Sequence, residues 1–330
     1  MRPFTYTRSN TVDEALKAYS EGSDVSYIGG GTNLVDLMKM GVERPARLID
    51  VSRLPLGTIE EHEGRLRIGA MVSNTDLANH KLIRTRYPVL SEAILAGASQ
   101  QLRNKATTGG NLLQRTRCYY FYDPVYRECN KRNPGSGCAA KEGYNRIHAI
   151  LGASADCIAT HPSDMCVALT ALDAVVRVEG PHGERAIPMV EFHRLPGDKP
   201  QIDTNLRPGE LITAVDLPAI PYARRSRYLK IRDRNSYAFA LVSVAAVLDL
   251  DDSGAIRHAH IALGGVAHKP WRAVKAEHAL IGKKPEQASL RAAAEAELAG
   301  AKTYKDNAFK VELARRAIAR AVTMTANLEA

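Results

Sequence analysis

Nowhere in the 330 residues is there a run of about 18 apolar residues, so no helix is expected to span a membrane. The opening Met1-Arg2-Pro3-Phe4-Thr5-Tyr6 lacks an apolar signal core, and the chain is expected to carry no export signal of its own. Five cysteines are an odd number and too few for a disulfide scaffold. None stand as C-x-x-C, which excludes zinc-ribbon and ferredoxin-type spacing. G-x-G-x-x-G, a Gly-Lys-Ser/Thr phosphate loop and H-E-x-x-H are all missing. His148, His182, His193, His258, His260, His268 and His278 show no ligand spacing, and no Ser–His–Asp set can be argued. No residue is assigned a catalytic role.

What is present belongs to an ordinary globular protein. Hydrophobic residues at 45% and charged ones at 25% allow a sizeable core, and the length allows two domains. A formal net charge of +9 raises the question of nucleic acid, which needs basic residues clustered on one face. The one cluster, Arg224, Arg225, Arg227, Lys230, Arg232 and Arg234, is interleaved with strand-like apolar residues, so no nucleic-acid partner is expected. A basic surface equally suits an anionic cofactor or an acidic partner subunit.

Along the chain, Thr11 and Glu14 form a capping box that opens a helix. Val25–Ile28 reads as a strand, Leu34–Met40 as a helix closed by Gly41, and Arg47–Val51 as another strand. A hairpin turns at Glu63-Gly64, and helices follow near Asp76–Leu82 and Val89–Ala96. From Gln114 to Gly143 tyrosines, charges, prolines, glycines and three cysteines alternate without period and with little apolar content. Such a stretch needs something other than burial to order it. Strand signal resumes at Ile147–Leu151, then a helix at Ser163–Ala174, a hairpin at Pro181-His182-Gly183 and a strand at Leu211–Leu217. Pro218–Tyr222 reads as a boundary. Beyond it, Tyr228–Ile231, Ala238–Leu250 and Ile256–Leu263 are strands, and Trp271–Ile281, Ser289–Leu298 and Ala308–Asn327 are helices. The reading is α+β, with two lobes and an appended C-terminal domain.

Two glycine loops carry the functional signal. Gly29-Gly30-Gly31-Thr32-Asn33 lies between a strand and a helix, where successive N–H groups can face a pyrophosphate. Thr107-Thr108-Gly109-Gly110-Asn111 repeats the arrangement, and two cradles suit a dinucleotide better than a mononucleotide. A tight turn needing positive φ explains either loop alone equally well. Asp164, in Pro162-Ser163-Asp164, could accept from a ribityl or ribose hydroxyl, or could simply complement a helix dipole.

YIGGGTNLVDLM, ATTGGNLL and HPSDM, in this order and spacing, resemble the FAD-binding subunit of the xanthine dehydrogenase family of molybdenum hydroxylases. YLKIRDRNSYAFALVSVAA resembles the start of that family's C-terminal flavoprotein domain, so the likeness covers essentially the whole chain. It implies a vanillyl-alcohol-oxidase-like FAD domain of two α/β lobes over residues 1–222 and an α+β flavoprotein domain over 223–330. It implies that Ser26, Tyr27, Ile28, Gly29, Gly30, Gly31, Thr32, Asn33 and Leu34 wrap the pyrophosphate. Thr107, Thr108, Gly109, Gly110 and Asn111 would line the flavin side, and Asp164 would bind a hydroxyl. Ile212 and Lys230 match an apolar and a basic position near the flavin. On a strand Tyr228, Lys230 and Arg232 share a face, and a cation there would stabilise a reduced, anionic flavin.

The cysteines fall at 118, 129, 138, 157 and 166, three of them inside the aperiodic segment. Thiolates gathered there favour an iron–sulfur cluster or zinc. Most relatives join the Gly-Gly-Asn loop to the Ser-Asp segment by a short link, whereas here 52 residues intervene. A cysteine-bearing insertion at about 114–157 resembles the flavin subunits of bacterial periplasmic aldehyde oxidoreductases, and more loosely of hydroxybenzoyl-CoA reductases. That likeness implies a [4Fe–4S] cluster on Cys118, Cys129, Cys138 and Cys157, with Cys166 left as a small core residue beside Met165, Ala168, Leu169 and Leu172. It further implies a large molybdenum-cofactor subunit, a small subunit with two [2Fe–2S] clusters and an external electron acceptor. It also implies the periplasm, reached by co-export with a signal-bearing partner.

Overall fold

The computed structural model describes residues 1–328, and three sheets follow one another along the chain. The first lobe runs β1 (Thr5–Arg8), α1 (Val12–Ser20), β2 (Val25–Ile28), α2 (Leu34–Met40) and β3 (Arg47–Asp50), with a parallel sheet ordered β1-β3-β2. Thr11 caps α1 by accepting from the Glu14 N–H at 3.1 Å. The returning Glu14 carboxylate takes the Asn10 N–H at 2.7 Å, one residue before the cap. Gly41 ends α2 at φ 72°, where a Cβ would be strained.

The second lobe begins with the hairpin β4 (Ile59–His62) and β5 (Arg65–Gly69), whose turn residues Glu63 and Gly64 both have positive φ, the backbone a two-residue hairpin favours. Five short helices follow, α3 (Asn74–Asn79), α4 (Lys81–Arg86), α5 (Pro88–Ala96), α6 (Gln100–Lys105) and α7 (Thr108–Leu112). The insertion holds one turn, α8 (Tyr119–Tyr122), before α9 (Asp164–Ala171), β6 (Val175–Gly180), β7 (Gly183–Pro188), α10 (Met189–Phe192) and β8 (Leu211–Leu217). Pairing is antiparallel in the order β4-β5-β8-β6-β7. The C-terminal domain adds β9 (Ser226–Ile231), β10 (Val242–Leu250), β11 (Ile256–Gly264), β12 (Trp271–Arg272), α11 (Val274–Leu280), α12 (Gln287–Leu298) and α13 (Phe309–Ala326).

Alternation along β9, β10 and β11 decides which face meets which neighbour. Val244, Ala246 and Leu248 pack with α11 to α13, whereas Ala245, Val247 and Tyr228 join the core of α5 and α9. The boundary at 222 therefore separates two chain segments that share one core.

Three expectations need correction. Ile147–Leu151 is not a strand: Ile150 and Leu151 both donate to Val266 O, at 2.9 and 3.0 Å, and their apolar side chains fill the C-terminal core. Apolarity there marked burial, not extension. Trp271 and Arg272 pair with β11 before the helix starts. The aperiodic insertion is not without a core, because Tyr120, Phe121, Ala140 and Ile158 are buried together with its cysteines.

Asp216 ties the central strands of the second sheet. Its side chain, 1% exposed, accepts from Arg67 of β5 at 2.8 and 3.0 Å and from Arg177 of β6 at 2.7 Å. Burial alone would lift its pKa, but the two guanidinium groups hold it below the ordinary carboxylate value. A depressed carboxyl contributes stability above its unfolded pKa, and the contribution is lost as pH falls through the folded value. Asp216→Asn is expected to cost about 2 kcal/mol at pH 7, with the gap to wild type narrowing below about pH 4. Urea unfolding followed by circular dichroism at both pH values checks this; a gap independent of pH would contradict it.

Candidate functional site

A cleft of about 770 Å³ opens where the two lobes and the β9–β10 connection meet. Its wall takes Thr32 and Asn33 from the first glycine loop, Gly110 and Asn111 from the second, Asp164 from the head of α9 and Lys230 from β9. Segments scattered over about two hundred residues thus converge on one cleft.

The rest of the assigned residues stand behind that wall. Ser26, Tyr27 and Ile28 lie in β2, with the Tyr27 hydroxyl on Gly209 O at 3.1 Å and its ring stacked on Tyr19. Gly29, Gly31 and Leu34 make the turn into α2. Thr107, Thr108 and Gly109 are buried, and Ile212 packs under Gly109, one layer from the cleft rather than on it. The second loop is itself a short helix, since Thr107 accepts from the Gly110 N–H at 3.2 Å and caps α7. The bare backbone of Gly30 meets protein rather than open space: a Cβ there would lie 2.0 Å from Lys105 O. Its lack of a side chain locks the two glycine loops together.

Lys230, expected to bring a cation near the flavin, borders the cleft as half of an ion pair. Its Nζ donates to Asp164 Oδ2 at 2.7 Å and to Ala96 O at 3.1 Å, while the Tyr228 hydroxyl donates to Asp164 Oδ1 at 2.6 Å. Both oxygens of Asp164 are therefore engaged before any ligand hydroxyl arrives. Burial and the adjacent Asp164 push the Tyr228 pKa well above its ordinary value, so the hydroxyl keeps its proton. Tyr228, Lys230 and Arg232 do share one face, Arg232 Nη1 reaching Ala96 O at 2.9 Å. Two more of the basic run are engaged within the fold: Arg225 donates to Ala326 O and Leu328 O, and Arg227 pairs with Glu92.

Sequence reasoning missed several lining residues, namely Arg103, Arg117, Tyr122, Arg234, Tyr237 and Phe239. Arg103 and Arg234 turn to carbonyls, Gly97 O at 2.6 Å and Tyr237 O at 3.1 Å. Arg117 lies over the rings of Tyr122 and Phe239, 5.3 and 5.1 Å from their centroids. The available signal was the dense alternation of Arg and Tyr just past Asn111.

The insertion's four cysteines gather in a core behind Tyr122, which lines the cleft. Cys118, Cys129 and Cys157 share a buried cluster that Cys138 joins from its edge, and Cys129 faces Cys138 across an isolated bridge. None is in a disulfide. Burial pushes Cys118 and Cys157 up to about 12, so neither is a nucleophile at neutral pH. Sulfurs held this way ionise against the charge of a metal, and the Ala159 N–H lying 3.5 Å from Cys157 Sγ is the kind of donor that metal thiolates use. The donor set fits a metal cluster. Cys166 stands apart, fully buried in α9, with ligand atoms of His161 and His193 within 4.8 Å. Ser163 N–H donates to His161 Nδ1 at 3.3 Å, which puts that ring's proton on Nε2, while His193 donates from Nε2 to Leu112 O at 2.8 Å and keeps its lone pair on Nδ1. His161 Nε2 and His193 Nδ1 are both buried without a hydrogen-bond partner among the described residues, and no metal is assigned to them.

If the cleft holds FAD, Gly30→Ala is expected to lower retained FAD about tenfold, because overpacking of about 1–3 kcal/mol would part the two loops. Flavin released by acid from the purified variant and compared with wild type measures this; unchanged flavin would show that the loops can part without consequence.

Comparison with known proteins agrees with this geometry. Residues 2–220 match the FAD binding domain in molybdopterin dehydrogenase, and residues 227–330 match the CO dehydrogenase flavoprotein C-terminal domain. The chain is 53% identical to the aldehyde oxidoreductase FAD-binding subunit PaoB of Escherichia coli K12, over 97% of each chain. It is 26% identical to the carbon monoxide dehydrogenase medium chain of Hydrogenophaga pseudoflava, over 90% of this chain and 86% of that one. A solved structure of the carbon monoxide dehydrogenase from Hydrogenophaga pseudoflava superposes with a TM-score of 0.75 at 27% identity, covering 98% of this chain and 96% of that one. The chain belongs to the family of FAD-binding subunits of molybdenum hydroxylases.

Proposed function

We propose that this chain is the FAD-binding and [4Fe–4S]-bearing electron-transfer subunit of a molybdenum-dependent aldehyde oxidoreductase. The observation that carries the finer reading is the gathering of Cys118, Cys129, Cys138 and Cys157 in one buried cluster beside the flavin cleft. Among the described residues no three of these sulfurs lie within 4.8 Å of one another. A single tetrahedral zinc, with Zn–S of about 2.3 Å, would draw them closer than that, so the spacing favours a larger cluster. The relative at 53% identity is named an aldehyde oxidoreductase subunit, which supports the substrate class.

FAD supplies the redox chemistry, and this chain's residues bind and orient it. Asn33 does not cap α2; its side chain instead donates to the Tyr122 hydroxyl at 3.0 Å and accepts from the Arg115 N–H at 2.8 Å. The head of α2 is thus left for the pyrophosphate, and the first glycine loop is fastened to the insertion. Asn111 Oδ1, accepting from Ser163 at 2.6 Å, fastens the second loop to α9. In this reading oxidation of the aldehyde belongs to a large molybdenum-cofactor subunit. Electrons then come through a small subunit with two [2Fe–2S] clusters and leave to an external acceptor. The complex is placed in the periplasm by co-export with a signal-bearing partner.

Replacing Cys118, Cys129, Cys138 or Cys157 by serine is expected to remove most of the iron, whereas Cys166→Ala keeps it. Iron and acid-labile sulfide assays on the five single variants decide, and iron lost from Cys166→Ala but kept in Cys157→Ser would reassign the fourth ligand. The purified chain alone is expected to show no aldehyde oxidation while its flavin is reduced by dithionite. Turnover of an aldehyde by the isolated chain would overturn this division of labour.

A further inference from the structure

Arg117 stands where the insertion meets the cleft, one residue before Cys118. It borders both the 770 Å³ cleft and an adjoining cavity of about 400 Å³. Its guanidinium is flanked by the rings of Tyr122 and Phe239, and its Nη1 donates to Arg115 O at 2.6 Å. Because the Tyr122 hydroxyl accepts from Asn33, one ring separates Arg117 from the first glycine loop.

Of the acids on the cleft wall, Asp164 and Asp233 are already paired, with Lys230 and with Arg146 at 2.8 Å, and Asp36 acts on Arg117 only through space. Arg115, two residues earlier, has Glu43 and Asp203. Among the described residues no carboxylate lies within salt-bridge reach of Arg117; Asp36, exposed in the first turn of α2, is the acid left on the cleft wall. A guanidinium stays charged, carries five donors in a plane and is costly to enclose without an anion. Two aromatic faces hold that plane in a fixed attitude.

We propose that Arg117 pairs with a negative charge of bound FAD, so that the insertion supplies part of the flavin site. The inference rests on the reading that the cleft holds FAD. The charge is either the pyrophosphate or the one the flavin ring takes on when reduced. Since Arg117 adjoins a cluster ligand, order in the insertion and FAD affinity then reinforce each other reciprocally.

The test uses the full chain, with FAD removed and titrated back by flavin fluorescence, the midpoint potential of the bound flavin, and iron content as the control for an intact insertion. Arg117→Gln is expected to weaken FAD at least tenfold. Weakening that is equal for oxidised and reduced FAD identifies the pyrophosphate, and weakening confined to reduced FAD, with a lowered potential, identifies the ring. Wild-type affinity in both redox states with iron intact overturns the proposal. Should Arg117→Gln also lose iron, Arg117→Lys decides: affinity recovered with the charge supports the pairing, and affinity as low as the glutamine variant's overturns it. A wild-type chain that takes up no FAD sinks the reading of the cleft, and the proposal with it.

Discussion

Asp164 sits at the head of α9 and receives Tyr228 and Lys230 from β9, so one carboxylate is shared between the FAD domain and the C-terminal domain. The side chains of Lys230 and Asp164 are only 4% and 7% exposed. Taking such ions out of water costs several kcal/mol each, roughly, and is offset only when every remaining donor and acceptor is satisfied. Here Ala96 O takes another ammonium proton and Tyr228 fills the second oxygen. Sliding β9 against α5 and α9 would strand a charge in the core. The back wall of the cleft is fixed by that penalty, and Gly97 leaves the room it needs, since a Cβ there would lie 3.1 Å from Asp164 Oδ2.

The insertion is held from both domains in a similar way. Lys131, 1% exposed in its side chain, donates to Asp203 and Pro200 O and meets His268 Nε2 at 2.8 Å. Lys310 of α13 reaches the carbonyls of Ile147, His148 and Gly265, and burial lowers its pKa to about 7. Asn145 and Asp306 exchange hydrogen bonds at 3.2 and 2.9 Å. A segment poor in apolar residues is thus ordered by buried polar contacts to its surroundings as well as by its own small cysteine-lined core.

Positive charge is distributed unequally over this frame. Within the basic run, Arg225, Arg227, Lys230, Arg232 and Arg234 are engaged in ion pairs or carbonyl contacts, while Arg224 is exposed. What remains facing the cleft is a set of guanidinium groups bonded to carbonyls or stacked on rings. Such an enclosure suits a dinucleotide whose charge sits in its middle.

Elements with local causes were legible from sequence: the Thr11 cap, the Gly41 stop, the Glu63-Gly64 hairpin, and the two glycine segments with the Ser-Asp helix start. Each depends on neighbours within a few residues, which a sequence displays directly. The partners of Lys230 were not legible, because Asp164 comes to it from 66 residues away by packing α9 against β9. Nor was the reason for Gly30, whose neighbour is the carbonyl of Lys105. The sequence by itself determined the glycine loops, the strand alternation and the supply of cysteines. Only the tertiary structure decided which charges cancel, which glycine faces protein, and that Arg117 reaches the cleft, because burial and pairing are set by what the rest of the chain brings alongside.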